Sequence, residues 1–269
     1  MLANLFRRLV RAPILRRFLW RRWYDYLARR HADRRWTFMN YGYQASGDGQ
    51  LALEPADEPD RYCIQLYHRT VTDVELAGNE VLEVGSGRGG GASYIQRYLA
   101  PASTIGVDFS AQAVEFCKAN HQVPGLSFRQ GDAEALPFDD GSFDVVVNVE
   151  SSHCYGSMTA FLWEVARVLR PGGHFCFADL RAGAEQTLLQ EQLAASALSL
   201  VLEEEINREV LRAMEADSQR KLELIQGQFP RWLGKAFRDF AGLRESTVWR
   251  HLQSGQARYV RYVFRKAAS

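Results

Sequence analysis

Long apolar runs are missing from this chain. Nowhere do about twenty uninterrupted hydrophobic residues occur, the length needed to span a bilayer. Cysteine is scarce and scattered: Cys63, Cys117, Cys154 and Cys176 form no C-x-x-C pair, so neither a disulfide framework nor a zinc ribbon is indicated. A reducing, cytoplasmic setting is the default. The six histidines show no H-x-x-H or H-E-x-x-H spacing, and the sequence offers no metal site. Internal repeats and low-complexity segments are absent too, and 46% hydrophobic against 24% charged residues argue for a folded domain rather than disorder.

Net charge is also nearly absent, at +1 over 269 residues, but that balance hides a split. Residues 1–35 hold eleven arginines and two acids (Asp25, Asp33), a local +9, and the remaining 234 residues carry −8. In the head, Leu2, Leu5, Phe6, Leu9 and Val10 make one apolar helical stripe. After Pro13 a second stripe runs through Leu15, Phe18, Leu19, Trp23, Tyr26 and Leu27. Basic amphipathic helices of this kind dock on their own domain, lie on a membrane surface, or serve as targeting segments. Nucleic-acid binding is disfavoured, because the basic charge is confined to one end of an acidic body.

The body begins with a loop-like stretch at 36–60 and a helical one at 61–77. Strand candidates follow at 80–85, 103–110, 126–133, 143–151 and 172–180, separated by helical stretches such as 111–120 and 158–169. Strands alternating with helices predict βαβ units and a parallel sheet covered on both faces. Residues 184–225, rich in Ala, Leu, Glu and Gln, show no strand signal and predict one or two inserted helices. Residues 246–252 and 257–265 alternate apolar and polar, as a terminal antiparallel pair does. The expected fold is α/β: a Rossmann-like doubly wound sheet, mostly parallel with an antiparallel C-terminal strand, plus N-terminal helices and a helical cap. The expected divisions are 1–60 (basic helices and aromatic loop), 61–183 (cofactor core), 184–235 (cap) and 236–269 (closing strands).

Gly85, Gly87 and Gly90 satisfy G-x-G-x-x-G after a strand, which by itself is the outline of a dinucleotide fingerprint. Glu83, inside the strand, extends the pattern to E-x-G-x-G-x-G. A pyrophosphate gains nothing from a carboxylate there, whereas a ligand with a cationic amino-acid end does. Asp108, ending the second strand, is placed for ribose hydroxyls, and Asp132, after the third, for an adenine amino group. Three acids at successive strand ends suit S-adenosylmethionine better than a nicotinamide dinucleotide. Ser86, Phe109, Ala133 and Asn148 complete the expected cofactor set.

The segments "VLEVGSGRGG", "GVDFS", "GDAEALPFDDGSFDVVVNVES" and "VLRPGGHF" resemble, in order and spacing, the motifs of class I S-adenosylmethionine-dependent methyltransferases over about residues 80–180. More closely, "MNYGYQ", "DEPDRYCIQLYHRT", "GGGASY", "NVESSHCY" and "FADLR" resemble the O-methyltransferases of bacterial polyketide, glycolipid and glycopeptidolipid pathways, such as the phthiotriol and phenolphthiotriol dimycocerosate methyltransferases. That likeness runs from about residue 20 to the end and loosens after 184. It implies methyl transfer to a hydroxyl of a hydrophobic small molecule, with S-adenosylhomocysteine as product.

An aliphatic hydroxyl is a poor nucleophile until its proton leaves, so a general base is expected. His153, following the fourth strand, is the candidate, with a reference pKa near 6.5 that suits it to accept a proton. Glu150 is a candidate to orient it or to pair with a backbone donor. Tyr41, Tyr43, His68 and Asp179 are candidate acceptor-side residues. His31, His121, His174 and His251 have no comparable context. Rival readings are a C- or N-methyltransferase on the same fold, an NAD-dependent oxidoreductase, and a non-catalytic cofactor-binding scaffold. The expected partner is a hydrophobic acceptor, with peripheral contact at the inner membrane surface through residues 1–30; a homodimer is compatible with the sequence.

Overall fold

The computed structural model describes residues 36–47, 51–225 and 242–268. The Arg-rich helices expected in the head, and residues 226–235 of the expected cap, lie outside the described residues. A loop and a short 3-10 turn (Glu58–Asp60) lead into α1 (Arg61–Val71). Five parallel strands with three intervening helices then build the sheet: β1 (Glu80–Val84), α2 (Gly90–Tyr98), β2 (Ser103–Asp108), α3 (Ala111–Asn120), β3 (Leu126–Gln130), β4 (Phe143–Val149), α4 (Met158–Val168) and β5 (Leu169–Ala182). The remainder comprises α5 (Ala184–Ala194), β6 (Leu198–Glu205), α6 (Asn207–Ala216), α7 (Ser218–Ile225), α8 (Thr247–Gln253) and β7 (Ala257–Lys266).

The seven strands lie in the order β3-β2-β1-β4-β5-β7-β6. β1 to β5 pair in parallel, and β7 is antiparallel to both of its neighbours. The doubly wound, mostly parallel sheet expected from the sequence is the one observed. Central strands read as continuous apolar runs because both faces are covered. Leu82, Val84, Val146, Phe175 and Phe177 face a core shared with α4 and α5. Val81, Val145, Val147 and Cys176 face another shared with α1, α2, α6 and α8. Serine N-caps start α3 and α4, where Ser110 Oγ accepts from Ala113 N and Ser157 Oγ from Ala160 N.

Two elements differ from the sequence expectation. The stretch 184–225 is not wholly helical: it carries β6, whose Leu- and Glu-rich "LSLVLEEE" has strong helix formers but pairs along β7. Tertiary pairing overrides propensity there. Arg69 and Arg261 bind Glu204, and Arg258 binds Glu203 and Glu205. Residues 247–253 form a helix, not a strand. Ser246 Oγ caps it by accepting from Trp249 N at 3.2 Å, and Trp249 and Leu252, three apart, are its buried residues. The C-terminal segment therefore adds one strand, β7, whose partners are β5 and β6.

Candidate functional site

Strand order reverses between β1 and β4, and in open α/β sheets the crevice at such a switch point, outside the carboxyl ends of the strands, is where ligands bind. Here a cleft opens there, enclosing about 1350 Å³ including its solvent-open mouth. Its walls come from the β1 turn (Gly85, Ser86, Gly87), the β2 end (Asp108, Phe109), the β3 end (Asp132, Ala133) and the β4 end (Glu150, Ser151). Residues 36–40 close another side.

The β1 turn is tight for physical reasons. Gly85 has φ +77°, and a Cβ there would overlap Ser151 Oγ. Gly91 opens α2 directly against Tyr67, so that a Cβ would overlap the tyrosine ring and sit 2.6 Å from Glu83 Oε1. Asp108 is held by Gly87 N at 2.8 Å and Ser110 N at 2.9 Å. Asp132 accepts from Glu134 N at 3.0 Å.

Glu83 does not line the cleft. It lies behind Tyr67 and Gly91, which do. Tyr67 Oη donates to its Oε1 at 2.6 Å, and Oε2 is buried without a hydrogen-bond partner. Burial pushes this carboxyl up to about 8, against the opposing pull of the Tyr67 and Ala92 hydrogen bonds. Ser86 Oγ is a second buried oxygen without a partner. An unanswered carboxylate oxygen, a glycine turn and a carboxylate at the β2 end fit the amino-acid end and ribose of S-adenosylmethionine. Asn148, wholly buried behind the wall, reaches Val84 O at 2.8 Å, Ser151 Oγ at 2.7 Å and Tyr155 Oη at 2.9 Å.

His153 sits on a single 3-10 turn (Ser152–Cys154) just past β4. Its Nδ1 lies 3.1 Å from Asp179 Oδ1; the imidazole is 27% exposed and the carboxylate not at all. Asp179 reaches it because β5 runs beside β4 with Val149 opposite Ala178. Burial alone would lower the imidazole's pKa, but neighbouring Cys154 and Asp179 outweigh it and hold it well above the ordinary value. Asp179 is held well below the usual carboxylate range despite its burial, because Arg181 and His153 face it.

The orienting contact expected of Glu150 is thus made by Asp179, which is enclosed and not placed to touch an acceptor. Glu150 takes a left-handed backbone (φ +48°), and its Oε1 accepts from Tyr41 N at 2.9 Å and Tyr259 Oη at 2.8 Å. Burial raises its carboxyl to about 7. Left-handed geometry in a non-glycine residue costs about 1–3 kcal/mol and marks a constrained site.

The other acceptor-side candidates lie elsewhere. Tyr41 and Tyr43 pack against the α1-side core, Tyr43 N donating to Tyr62 O at 2.9 Å. His68 Nδ1 lies 2.8 Å from Tyr94 Oη, and burial lowers its pKa. None of the three lines the cleft. Sequence reasoning missed Tyr155, although it lay within "NVESSHCY", as well as Tyr67 and the strap 36–40. The strap's docking is long-range: Thr37 Oγ1 donates to Asp60, Asn40 Nδ2 to Cys63 O, and Arg88 Nε to Trp36 O. No local pattern records those contacts.

Comparison with known proteins agrees with this geometry. A methyltransferase domain family matches residues 82–177. The phthiotriol/phenolphthiotriol dimycocerosates methyltransferase of Mycobacterium tuberculosis is 46% identical over 92% of this chain and 92% of its own. A fatty-acid O-methyltransferase of Mycolicibacterium smegmatis is 42% identical over 84% of this chain and 85% of its own. Among solved structures, the geranyl diphosphate C-methyltransferase of Streptomyces coelicolor, crystallised with S-adenosyl-L-homocysteine, superposes with TM-score 0.65 at 17% identity, covering 85% of this chain and 87% of that one. This chain belongs to the class I S-adenosylmethionine-dependent methyltransferases, in the family of the phthiotriol/phenolphthiotriol dimycocerosates enzymes.

Proposed function

We propose that this methyltransferase transfers its methyl group to a hydroxyl of a hydrophobic, lipid- or polyketide-like acceptor, with His153 as the general base and Asp179 as the residue that orients it. The observation that carries the proposal is the pairing of a partly exposed imidazole with a fully enclosed carboxylate on the turn whose neighbouring Ser151 and Cys154 line the cleft, His153 itself standing just outside that lining. S-adenosylmethionine bound in the cleft supplies a methyl group already activated on sulfonium. Glu83 answers its amino-acid end from behind Tyr67 and Gly91, Asp108 its ribose, and Asp132, Phe109 and Ala133 its base. Asp179 fixes His153 Nδ1, and because its neighbours hold the ring well above its ordinary pKa, only the neutral fraction of His153 can take the hydroxyl proton, so turnover should rise with pH. Lining up acceptor oxygen, methyl carbon and sulfur contributes about 7–11 kcal/mol, so positioning is the larger part of the work.

The relatives' names span two acceptor chemistries, a phthiotriol and a fatty acid. A fatty-acid carboxylate is ionised at neutral pH and needs no base, whereas a hydroxyl does. The His153–Asp179 pair therefore favours the hydroxyl. A greasy acceptor also gives the basic residues 1–30 a role at an anionic membrane surface. Of the expected cap, α7 meets the strap beside the cleft, Lys221 Nζ donating to Asn40 O and Tyr41 O, and we assign it to the acceptor side.

The test offers the enzyme methyl-labelled cofactor with a long-chain alcohol and with a long-chain fatty acid. His153→Ala is expected to lower methylation of the alcohol by about 10²–10⁴-fold, with cofactor affinity retained. Unchanged alcohol turnover in that variant refutes the base, and label on carbon or nitrogen refutes the acceptor class.

A further inference from the structure

The carboxylate of Asp179 answers to more than His153. Its Oδ1 accepts from Leu180 N at 2.8 Å as well as facing His153 Nδ1. Its Oδ2 accepts from Ser152 Oγ at 2.6 Å and from His153 N at 3.2 Å, and lies 3.0 Å from Arg181 Nη1. Arg181 Nη2 in turn donates to Ser152 Oγ at 2.8 Å, and Nη1 to Leu180 O at 2.8 Å. One guanidinium thus grips the orienting carboxylate and the turn that presents the imidazole. Asp179 and Arg181 reach the same face because they are alternate residues of β5.

We propose that Arg181 is a positioning residue that sets the pH at which His153 works, by splitting the charge of Asp179 between itself and the imidazole. The proposal rests on the reading of His153 as the base. The charged and titratable groups facing His153 are Asp179 and Arg181 from β5, Glu150 from the end of β4, and Cys154 from its own turn. Tyr259 of β7, bonded to Glu150, stands beyond them. Cys154, Asp179 and Glu150 favour the protonated ring, and Arg181 is the cation that opposes them. Its side chain is 9% exposed and that of Asp179 is fully buried, so solvent does little to dilute the coupling. Without Arg181 the whole carboxylate charge would bear on His153. The ring would hold its proton to higher pH, and the fraction able to accept one at neutrality would fall.

The experiment compares the full-length native enzyme with Arg181→Gln, Arg181→Lys and Ser152→Ala. It follows the acid limb of the kcat profile, the His153 imidazole titration by NMR, and S-adenosylhomocysteine affinity by calorimetry as a check on folding. In Arg181→Gln the limb and the imidazole titration should both move up by about half a unit or more, with affinity retained. In Arg181→Lys, which keeps the charge, both should stay at the native value; Ser152→Ala, which cuts the grip on the turn and one neutral donor to Asp179 but leaves the guanidinium in place, should move them less than Arg181→Gln does. A properly folded Arg181→Gln enzyme with neither shifted overturns the proposal. Should that variant not fold, a shift in Ser152→Ala as large as that expected for Arg181→Gln overturns it instead, because the effect would then belong to the turn. An imidazole shift without a limb shift supports the coupling and removes the base assignment beneath it.

Discussion

On the proposed reading of Glu83 as the carboxylate that answers the cofactor's amino-acid end, cofactor binding is coupled to its deprotonation. Burial raises this carboxyl to about 8, so in the free enzyme at neutral pH it is mostly protonated. A cationic amino-acid end answered by Oε2 from behind Tyr67 and Gly91 favours the ionised form. Each pH unit below the raised value then costs binding about 1.4 kcal/mol, a factor of about ten. The perturbation is pH between 6 and 7.5, with S-adenosylhomocysteine as ligand. Isothermal calorimetry in two buffers of different ionisation enthalpy gives both the affinity and the protons released. The expected result is an affinity that climbs nearly tenfold per unit, with close to one proton released per ligand.

Glu150 also titrates inside that window, near 7, and lines the cleft, so the slope alone does not assign the group. Glu83→Gln does. It keeps an oxygen to accept from Tyr67 but removes the charge, and should weaken binding at pH 7.5 by about 2–5 kcal/mol, the cost of deleting one partner of a buried charge pair. It should also flatten the slope. The sign for stability follows from the same shift. A carboxyl raised above its unfolded value adds stability that is fully present below about 4.5 and lost as pH rises through about 8. The ligand-free native enzyme should lose melting temperature across that range, and Glu83→Gln should lose less. A flat native slope, or a Glu83→Gln enzyme that binds as tightly as the native one at pH 7.5, would refute the reasoning.

Two further outcomes are expected. Gly91→Ala forces a methyl into Tyr67 and against Glu83; overpacking of this kind costs about 1–3 kcal/mol, so thermal melts should show a fall of about 2–12 °C. An unchanged melting temperature would mean that α2 moves away from α1 at no cost. Deleting residues 1–22 removes seven arginines and should abolish sedimentation with anionic phosphatidylserine vesicles while leaving S-adenosylhomocysteine affinity intact. Loss of cofactor affinity instead would assign the head to the fold of the body.

The cofactor-side candidates rest on local features. A strand that ends in glycine, or in an acid at the sheet's carboxyl edge, can be singled out within ten residues, and the fold gathers Gly85, Asp108 and Asp132 around one cleft. His153 was singled out in the same way, but its contact with Asp179 was not. Glu150, three residues away, was a candidate to orient it or to pair with a backbone donor, and it does the second. In the fold its left-handed backbone goes with a carboxylate bound to Tyr41 and Tyr259, and the imidazole is answered by a residue twenty-six positions on. The same blindness hid β6, since "LSLVLEEE" becomes a strand only when Arg69, Arg258 and Arg261 meet its glutamates across other elements. What decides each case is register, a long-range quantity. Slipping β5 by one residue against β4 would turn Asp179 and Arg181 to the opposite face of the sheet and leave every local motif as it stands. The apolar residues of β5 that enter the two cores, Phe175 and Phe177 on one face and Cys176 and Ala178 on the other, forbid that slip. The packing of the core thus sets the geometry of the base.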